Sequence, residues 1–295
     1  HKYWNYNDQA SIAHILRARE EQNVPVWLGE TGENSNVWFR DAIALLEKNN
    51  IGWAWWPLKK IGVNNPMEIH SNPNYDALVK FLNQNGPVPD APNTYKGLME
   101  LAHSSRLERN SIHRDVIDAM IRQPFSNDTR PFKIHSVQYG AVIDAVDYDM
   151  GRNNYAYFDR DTADYHVSSK QRSAGNRGRI YRNDGVDIAR DSSSNEQYYV
   201  NSIERGEWLQ YTLNVSRSGT YTLKISTAAT HSKGKLSILL DEKVVAESIS
   251  VPLSGGSHKF VAFRIKDIKL RQGERKIRIR ADEGDFNLSY IQFIK

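Results

Sequence analysis

The chain has 295 residues, of which 39% are hydrophobic and 11% aromatic, so it carries enough apolar sequence for more than one folded core. Its 39 basic and 35 acidic residues leave a net charge of +4, too balanced to indicate a nucleic-acid-binding protein. The chain has no cysteine, which excludes disulfides and thiolate metal sites, and no apolar run approaches the length of a membrane span.

The first sixty residues alternate between strand-like and helix-like patterns. Apolar residues recur at helical spacing over residues 8–23 and again over residues 36–49, which predicts two amphipathic helices. Short apolar runs at residues 25–29 and 51–56 predict buried strands, and residues 1–4 predict the stub of a third. This order of strand, helix, strand, helix, strand predicts parallel strands joined by right-handed crossovers, a piece of an α/β fold.

Glu30 ends the first of these apolar runs and lies between Gly29 and Gly32. A buried parallel strand delivers a carboxylate in this position to its C-terminal rim, so Glu30 is the first candidate catalytic residue. Taken alone, a glutamate here could instead stabilise the first turn of the following helix. The flanking helices and the tryptophan-rich strand that follows favour the catalytic interpretation.

The segments HKYW, VPVWLGETG and NIGWAWWPLKK resemble the sixth, seventh and eighth strands of glycoside hydrolase family five, the cellulase and mannanase type of (β/α)8 barrel. The resemblance covers about the first sixty to eighty residues. It implies that Glu30 is the nucleophile and that His1 and Tyr3 flank the reacting sugar.

The same resemblance implies that Trp56 is the platform on which the sugar stacks, with Trp55 as the second choice. Lys59 or Lys60 falls where the family often has a residue that reaches a neighbouring subsite. Trp53 alternates with Trp55 along the strand, which is more typical of a core residue than of a ligand surface.

Only one carboxyl group of the catalytic pair is visible. A retaining glycosidase needs a second one roughly 5 Å from the nucleophile. The family's acid/base lies in an Asn-Glu pair after the fourth strand, whereas Asn195-Glu196 occurs here in a later, unrelated context. Glu33 would need an unusual loop bend to face Glu30. Because a whole barrel takes about 250 residues, we expect the C-terminal piece of a longer enzyme, whether a fragment, a split gene product or a processed form.

The pattern loosens after Pro57 into a loop that contains glycine, asparagine and proline. It then predicts a short helix over residues 75–83 and a longer helical stretch over residues 93–123 with a break near Asn110. We expect these helices to close the barrel. The predicted domains are residues 1–125, a Pro-containing polar linker at 126–139, and residues 140–295.

The rest of the chain has short segments of period two separated by Gly, Asn and Ser, which predicts an all-β sandwich. These segments are residues 206–215, 219–226, 236–240, 260–265, 276–280 and 286–293. The motifs IDAVDY, YRNDGVDI, GEWLQY, GTYTL and FNLSYIQF resemble, in order, those of the family six carbohydrate-binding module, a jelly roll. The expected fold is therefore multi-domain, with a partial α/β TIM barrel of strands six to eight and a jelly-roll sandwich.

A module of this kind binds a pyranose between aromatic faces, with an amide that fixes the hydroxyl groups. The positions at which the family usually carries the aromatics fall on Ser202 and Ser257, while Asn287 matches its hydrogen-bonding asparagine. The cleft is therefore lost, or rebuilt from neighbours, or replaced by binding on another face, and we favour a weakened or lost site. The neighbours are Tyr198, Tyr199, His258 and Phe260.

The structural calcium site of the family is expected to keep only part of its ligands in this chain. One of its ligand positions falls on Asp144 and the other on Val146, and valine cannot bind a hard cation. Asp147 and Asp285 could still supply oxygens. No cofactor is expected for catalysis.

Basic residues alternate along one predicted strand at Lys276, Arg278 and Arg280, and Lys266, Lys269 and Arg271 lie nearby. This pattern is typical of a solvated sheet face. The sharper alternative is attraction to an anionic polysaccharide.

The sequence as a whole predicts a monomeric retaining hydrolase of a β-linked polysaccharide or oligosaccharide, secreted or located in the periplasm or at the cell surface of a bacterium. No signal peptide precedes His1, as in a mature product. Two alternatives stay open. The chain could be a non-catalytic carbohydrate-binding or structural module with a relic barrel, or the jelly roll could serve only to brace the barrel. The sequence does not name the glycan.

Overall fold

The computed structural model describes residues 1–160, 180–191, 198–230 and 234–295. The helices in these residues are α1 (Ala13–Gln22), α2 (Asn36–Lys48), α3 (Pro73–Leu82), α4 (Ala91–Ser104) and α5 (Arg114–Ile121). The strands of the first half are β1 (Trp27–Gly32), β2 (Gly52–Trp56), β3 (Lys59–Lys60), β4 (Met67–Glu68) and β5 (Ser111–Ile112). None of the described helices is both long and apolar enough to cross a membrane.

The strands of the second half are β6 (His135–Val137), β7 (Val142–Asp144), β8 (Tyr157–Phe158), β9 (Ile188–Arg190), β10 (Tyr198–Ile203), β11 (Trp208–Val215), β12 (Gly219–Ala228), β13 (Lys235–Leu240), β14 (Lys243–Ser250), β15 (Val261–Leu270), β16 (Gly273–Glu283) and β17 (Phe286–Ile294).

The N-terminal region is a small parallel α/β unit. β1 pairs in parallel with β2, and Lys2 joins the other edge of β1 through a parallel bridge to Thr31. α2 begins at the side chain of Ser35, whose hydroxyl accepts the backbone N–H of Trp38 at 3.2 Å. α2 buries Phe39 and Ile43 against α5. The predicted order of strands and helices is present, but within the described residues this sheet has no strands beyond β1, β2 and the single bridge.

The segment between the two halves has its own packing. β3, β4 and β5 form a small sheet, α3 packs against α4, and α5 packs against α2. Gly97 is required where α4 meets α3, because a Cβ there would lie 2.7 Å from the backbone nitrogen of Tyr75. The helical stretch expected over residues 93–123 is divided, as predicted, near Asn110, since α4 ends at Ser104 and α5 begins at Arg114.

The C-terminal region is a β-sandwich, as the sequence predicts. One sheet has the strand order β15-β12-β17-β10-β9 with β7 also on β17, and the other has β14-β13-β16-β11-β6 with β8 also on β11. Alternate residues of these strands point inward, so that Leu213, Leu223, Ile277 and Phe293 are fully buried between the sheets. This apolar layer is the main core of the chain.

Part of the expected linker at residues 126–139 belongs to this sandwich. β6 pairs in parallel with β11, and Arg130 forms an antiparallel bridge with Met150. Val137 is fully buried in the sandwich core. The sequence of this segment does not reveal the short strand β6, because three residues are too few to show a period.

A buried polar network joins the two halves. Asp115 of α5 accepts hydrogen bonds through Oδ2 from the side-chain amide of Asn36 at 2.8 Å and from the backbone N–H of Asn183 at 3.0 Å. The side chain of Asn183 in turn donates to the backbone oxygen of Asn34 and to the amide oxygen of Asn36. These side chains are excluded from solvent, so the two halves are held in contact by bonds that water cannot easily replace.

Candidate functional site

Glu30 lies near the C-terminal end of β1 with one third of its side chain exposed. The hydroxyl group of Tyr3 donates a hydrogen bond to Oε2 of Glu30 at 2.9 Å, and Nδ1 of His1 lies 3.0 Å from the same oxygen. Tyr3 and His1 reach Glu30 because Lys2, between them, pairs with Thr31 along β1. Three residues that the sequence analysis grouped are therefore in contact.

Tyr3 is held in its protonated form. Burial raises the pKa of its phenol, and the hydrogen bond to Glu30 and the charges of Glu30 and Glu33 raise it further. The hydroxyl group is therefore a permanent donor at physiological pH. It fixes one oxygen of the carboxylate and opposes its rotation.

Trp56 and Trp55 occupy different surroundings. Trp56 ends β2 and is 52% exposed, whereas Trp55 packs edge-on against Phe39 with ring centroids 4.4 Å apart. Gly32 pairs with Trp56 in the sheet, and a Cβ on Gly32 would lie 2.3 Å from the backbone oxygen of Trp56. Trp56 is thus the tryptophan with a free ring surface on the rim that carries Glu30.

The ammonium groups of the two lysines that follow β2 both form polar contacts within the protein. The ammonium group of Lys59 donates to the backbone oxygen of Ser105 at the end of α4. Lys60 forms an ion pair with Glu33, its Nζ lying 2.7 Å from Oε1. Lys60 therefore lies nearer to the Glu30 loop than Lys59 does.

The second carboxyl group of a retaining mechanism is not assigned to any described residue. Glu33 forms an ion pair with Lys60. Residues 195 and 196, the Asn-Glu pair of the later segment, lie outside the described residues.

The sandwich carries a cleft of about 700 Å³ at the edge where β10 and β17 meet. It is lined by polar and charged side chains together with a few apolar ones. The lining includes Arg160, Ser202, Glu204, Arg205, Ser257, Glu283, Asp285 and Asn287. The sequence analysis did not single out Arg160, Glu204 or Arg205, although the charged run before the GEW motif is a visible signal.

Asn287 joins β10 to the loop between β14 and β15 at this cleft. Its Oδ1 accepts the backbone N–H of Ser202 at 2.9 Å, and its Nδ2 donates to the backbone oxygen of Ser257 at 2.8 Å. The amide is 5% exposed, so most of its hydrogen-bonding capacity is used inside the protein. Phe286, the aromatic residue of the described lining, is buried in the sandwich core. The described part of the cleft therefore offers no exposed aromatic face.

Tyr199, His258 and Phe260 form a cluster of their own. The hydroxyl group of Tyr199 lies 2.9 Å from Nδ1 of His258, and its ring meets Phe260 edge-on at 5.1 Å. Tyr199 is only 1% exposed, and burial raises its pKa. None of the three is among the described residues that line the cleft, so they do not replace the missing aromatics there. Tyr198 stacks against Tyr181 instead.

The three acids suggested as calcium ligands do not meet. Asp147 accepts a hydrogen bond from the hydroxyl group of Tyr181 and forms an ion pair with Lys133 at 3.0 Å. Burial and the neighbouring charge of Asp147 raise the pKa of Asp144. Asp285 lies in the cleft. Among the described residues, no group of three or more His, Cys, Asp or Glu side chains is arranged to hold a metal ion. The Lys133 ammonium group supplies a positive charge beside Asp147.

Residues 179–295 match the family model described as Carbohydrate binding module (family 6). The C-terminal region therefore contains a carbohydrate-binding module, and the match does not extend into the α/β unit. No curated protein matches the chain.

Three solved structures resemble the sandwich. The C-terminal module of the laminarinase LamC from Zobellia galactanivorans is 25% identical over 37% of this chain and 88% of its own, with a TM-score of 0.34. A module of Cellvibrio mixtus lichenase 5A with cellotriose is 20% identical over 54% of this chain and 98% of its own, with a TM-score of 0.38. A module from Clostridium stercorarium with cellobiose is 14% identical over 55% of this chain and 98% of its own, with a TM-score of 0.39.

Proposed function

We propose that this chain contributes the nucleophile of a retaining hydrolase of β-linked polysaccharides, and that the nucleophile is Glu30. The observation that carries the proposal is the convergence of Tyr3 and His1 on one carboxylate oxygen of Glu30, on the sheet rim where Trp56 is exposed. A carboxylate held in this way, with one oxygen bound and one third of the side chain open to solvent, is suited to attack a sugar.

The chemistry assigns distinct roles to the two oxygens of Glu30. Oε2 accepts the hydrogen bond of Tyr3, so Oε1 is the oxygen that attacks the anomeric carbon. The bond to the leaving oxygen breaks as a covalent glycosyl ester forms, and an acid protonates the leaving oxygen. That acid then acts as the base that activates water to cleave the ester. We assign this second role to no described residue of the chain.

Trp56 is proposed to stack on the sugar, because its ring is exposed at the end of β2, the strand paired with the one that carries Glu30, and its apolar face suits the C–H face of a pyranose. The carbohydrate-binding module is proposed to hold a polysaccharide near the site. Since polysaccharides of this kind lie outside the cell, a secreted or cell-surface location follows from the proposal.

The experiment uses 2,4-dinitrophenyl β-glycosides of glucose, mannose, xylose and cellobiose. Dinitrophenolate leaves without protonation, so the first step needs the nucleophile but not the missing acid. We expect dinitrophenolate release by the chain, its loss in Glu30→Gln, and its retention in the surface control Glu20→Gln. Equal release by Glu30→Gln would contradict the proposal.

A second function is favoured by one observation, the absence of an assigned acid among the described residues. In that case the chain is a non-catalytic carbohydrate-binding protein in which Glu30 has no chemical role. The experiment separates the two, because such a protein would release no dinitrophenolate from any of the four glycosides.

A further inference from the structure

The outer surface of the second sheet carries a row of cations. Lys276, Arg278 and Arg280 on β16 alternate with Ile277 and Ile279, which are buried in the sandwich core. The cations therefore project from the opposite surface of the sheet. We refer to Lys276, Arg278 and Arg280 as the basic row.

Arg278 is held flat against the ring of Trp208. Its guanidinium carbon lies 3.7 Å from the centre of the Trp208 ring, and one N–H group donates to Oε1 of Gln210 at 3.0 Å. Within the described residues it forms no ion pair. Burial lowers the pKa of Arg278, the charge of Arg280 lowers it further, and Glu242 acts in the opposite direction. The half-buried guanidinium has thus lost hydration and forms no ion pair with a described carboxylate, although the charge of Glu242 acts on it from beyond ion-pair distance.

Two other cations of the same sheet, unlike Arg278, form ion pairs with carboxylates. Arg280 lies 2.9 Å from Asp282, and Lys235 lies 2.7 Å from Glu283. The ammonium group of Lys276 forms no ion pair with a described carboxylate and donates to Oγ1 of Thr129 at 2.9 Å, while the backbone N–H of Lys276 donates to Oδ1 of Asp241 at 2.9 Å. Two residues along a strand span roughly 7 Å, so the two unpaired cations lie side by side on the sheet.

Two polar side chains of β11 lie beside this pair, and both of these side chains donate hydrogen bonds to the buried carboxylate of Asp149. Gln210 lies opposite Arg278 on β11, and Thr212 lies opposite Lys276. Thr129 contacts both Lys276 and Gln210. A guanidinium that is fixed by an aromatic ring loses little entropy on binding, and its free N–H groups suit the two oxygens of a carboxylate.

We propose that the basic row is a binding site for an anionic glycan, a polysaccharide with carboxylates on its rings. Arg278 is the anchor for one carboxylate, Lys276 is the second cationic contact, and Trp208 positions Arg278. This inference rests on the carbohydrate binding of the proposed function but not on hydrolysis at Glu30. None of these residues lines the cleft that holds Asn287.

Affinity electrophoresis of the whole chain tests this site, with polygalacturonate in the gel as the anionic probe and hydroxyethylcellulose as the neutral one. We expect polygalacturonate to retard the chain and hydroxyethylcellulose to retard it much less. Arg278→Gln is expected to weaken the polygalacturonate interaction about 10-fold or more, because a hydrogen-bonded charge contact is lost. The matched control is Lys269→Gln on the other sheet, an exposed lysine whose loss removes the same charge and should change binding less than about 2-fold.

Arg278→Lys is the second variant, since it keeps the charge and loses the planar stacking on Trp208. It should bind more weakly than the parent chain even when its melting temperature is unchanged. The proposal is overturned if Arg278→Gln or Arg278→Lys binds polygalacturonate as the parent does, or if Lys269→Gln weakens binding as much as Arg278→Gln. It is also overturned if hydroxyethylcellulose, or a DNA duplex added as a competing polyanion, binds as tightly as polygalacturonate.

Glu30→Gln separates this inference from hydrolysis. We expect it to be retarded by polygalacturonate like the parent chain while it loses dinitrophenolate release. Release without retardation would overturn the anionic site alone, and retardation without release from the parent chain would overturn hydrolysis alone.

Discussion

The hydroxyl group of Tyr3 lies 2.9 Å from Oε2 of Glu30 and is kept protonated there by burial and by the charge of Glu30. The two residues are 27 positions apart in the sequence. Their contact depends on the single parallel bridge between Lys2 and Thr31, which aligns the N-terminal residues with the rim of β1.

Tyr3→Phe removes this donor and keeps the ring. We expect dinitrophenolate release to fall about 10-fold, the effect of losing one hydrogen bond to a charged group, with little change in melting temperature. The rate of the first, single-turnover release of dinitrophenolate from the best glycoside checks the prediction, because this step needs the nucleophile but not the unassigned acid/base. Tyr95→Phe on the exposed surface of α4 is the control, and an equal loss in both variants would exclude a specific role for Tyr3.

Asp115→Ala tests the contact between the two halves of the chain. It leaves the amide of Asn36 and the backbone N–H of Asn183 without an acceptor, at a cost of about 2–4 kcal/mol in the free energy of unfolding. Asp115→Asn keeps one acceptor oxygen and should cost less. Thermal and urea unfolding measure both variants, and equal stability of Asp115→Ala and the parent chain would show that the network contributes nothing.

The contact of Glu68 with His113 should make the free energy of unfolding depend on pH, in the direction that the pKa shift of Glu68 sets. The hydrogen bond from His113 and its charge lower the pKa of Glu68, against the opposing effect of burial. A carboxyl group whose pKa is lowered on folding stabilises the protein above its ordinary pKa of 4.5, and this contribution is lost as the pH falls through the lowered value.

Glu68→Gln should therefore be less stable than the parent chain at a pH of about 6, by up to about 1 kcal/mol, since the pair is partly exposed. The difference should shrink as the pH is lowered below 4.5. Urea unfolding over this range measures it, with exposed Glu108→Gln as the control. A difference that grew at acid pH would have the wrong sign.

The cleft of the module lacks an exposed aromatic ring in its described part, so cellotriose should bind weakly there. Ser257→Trp places an indole at an exposed position of the lining and is expected to tighten binding about 2- to 10-fold, the contribution of one stacked aromatic. Isothermal titration calorimetry measures this change. Ser250→Trp, on the exposed side of β14, is the matched control, and tighter binding in both variants would indicate non-specific stacking.

The sequence predicts the parts of this fold whose pattern is local. The β-sandwich strands and the two helices around Glu30 follow from periodicity. The sequence does not predict β14, because nearly all of its side chains are exposed and buried and exposed residues do not alternate along it. It does not predict β6 either, because three residues carry no period.

The candidate site divides in the same way. The position of Glu30 at a strand end is local information, and so are the serines at the expected aromatic positions. The bridging role of Asn287 depends on β10 and on the loop between β14 and β15, which meet only in the folded chain. The contact between Asp115 and Asn183 joins residues 68 positions apart. The separate surroundings of Asp147 and Asp285 likewise follow from the packing, not from any motif.

The most direct test of the central claim is covalent labelling of the nucleophile. The chain is incubated with the 2,4-dinitrophenyl 2-deoxy-2-fluoro-β-glycoside of the sugar that gives the fastest release. The fluorine slows both the formation and the breakdown of the glycosyl ester, and the good leaving group speeds only its formation, so the ester accumulates. Intact mass and peptide mapping should show one added fluoroglycosyl group on Glu30 and none in Glu30→Gln. An unlabelled chain, or a label on another residue, would contradict the assignment of Glu30 as nucleophile.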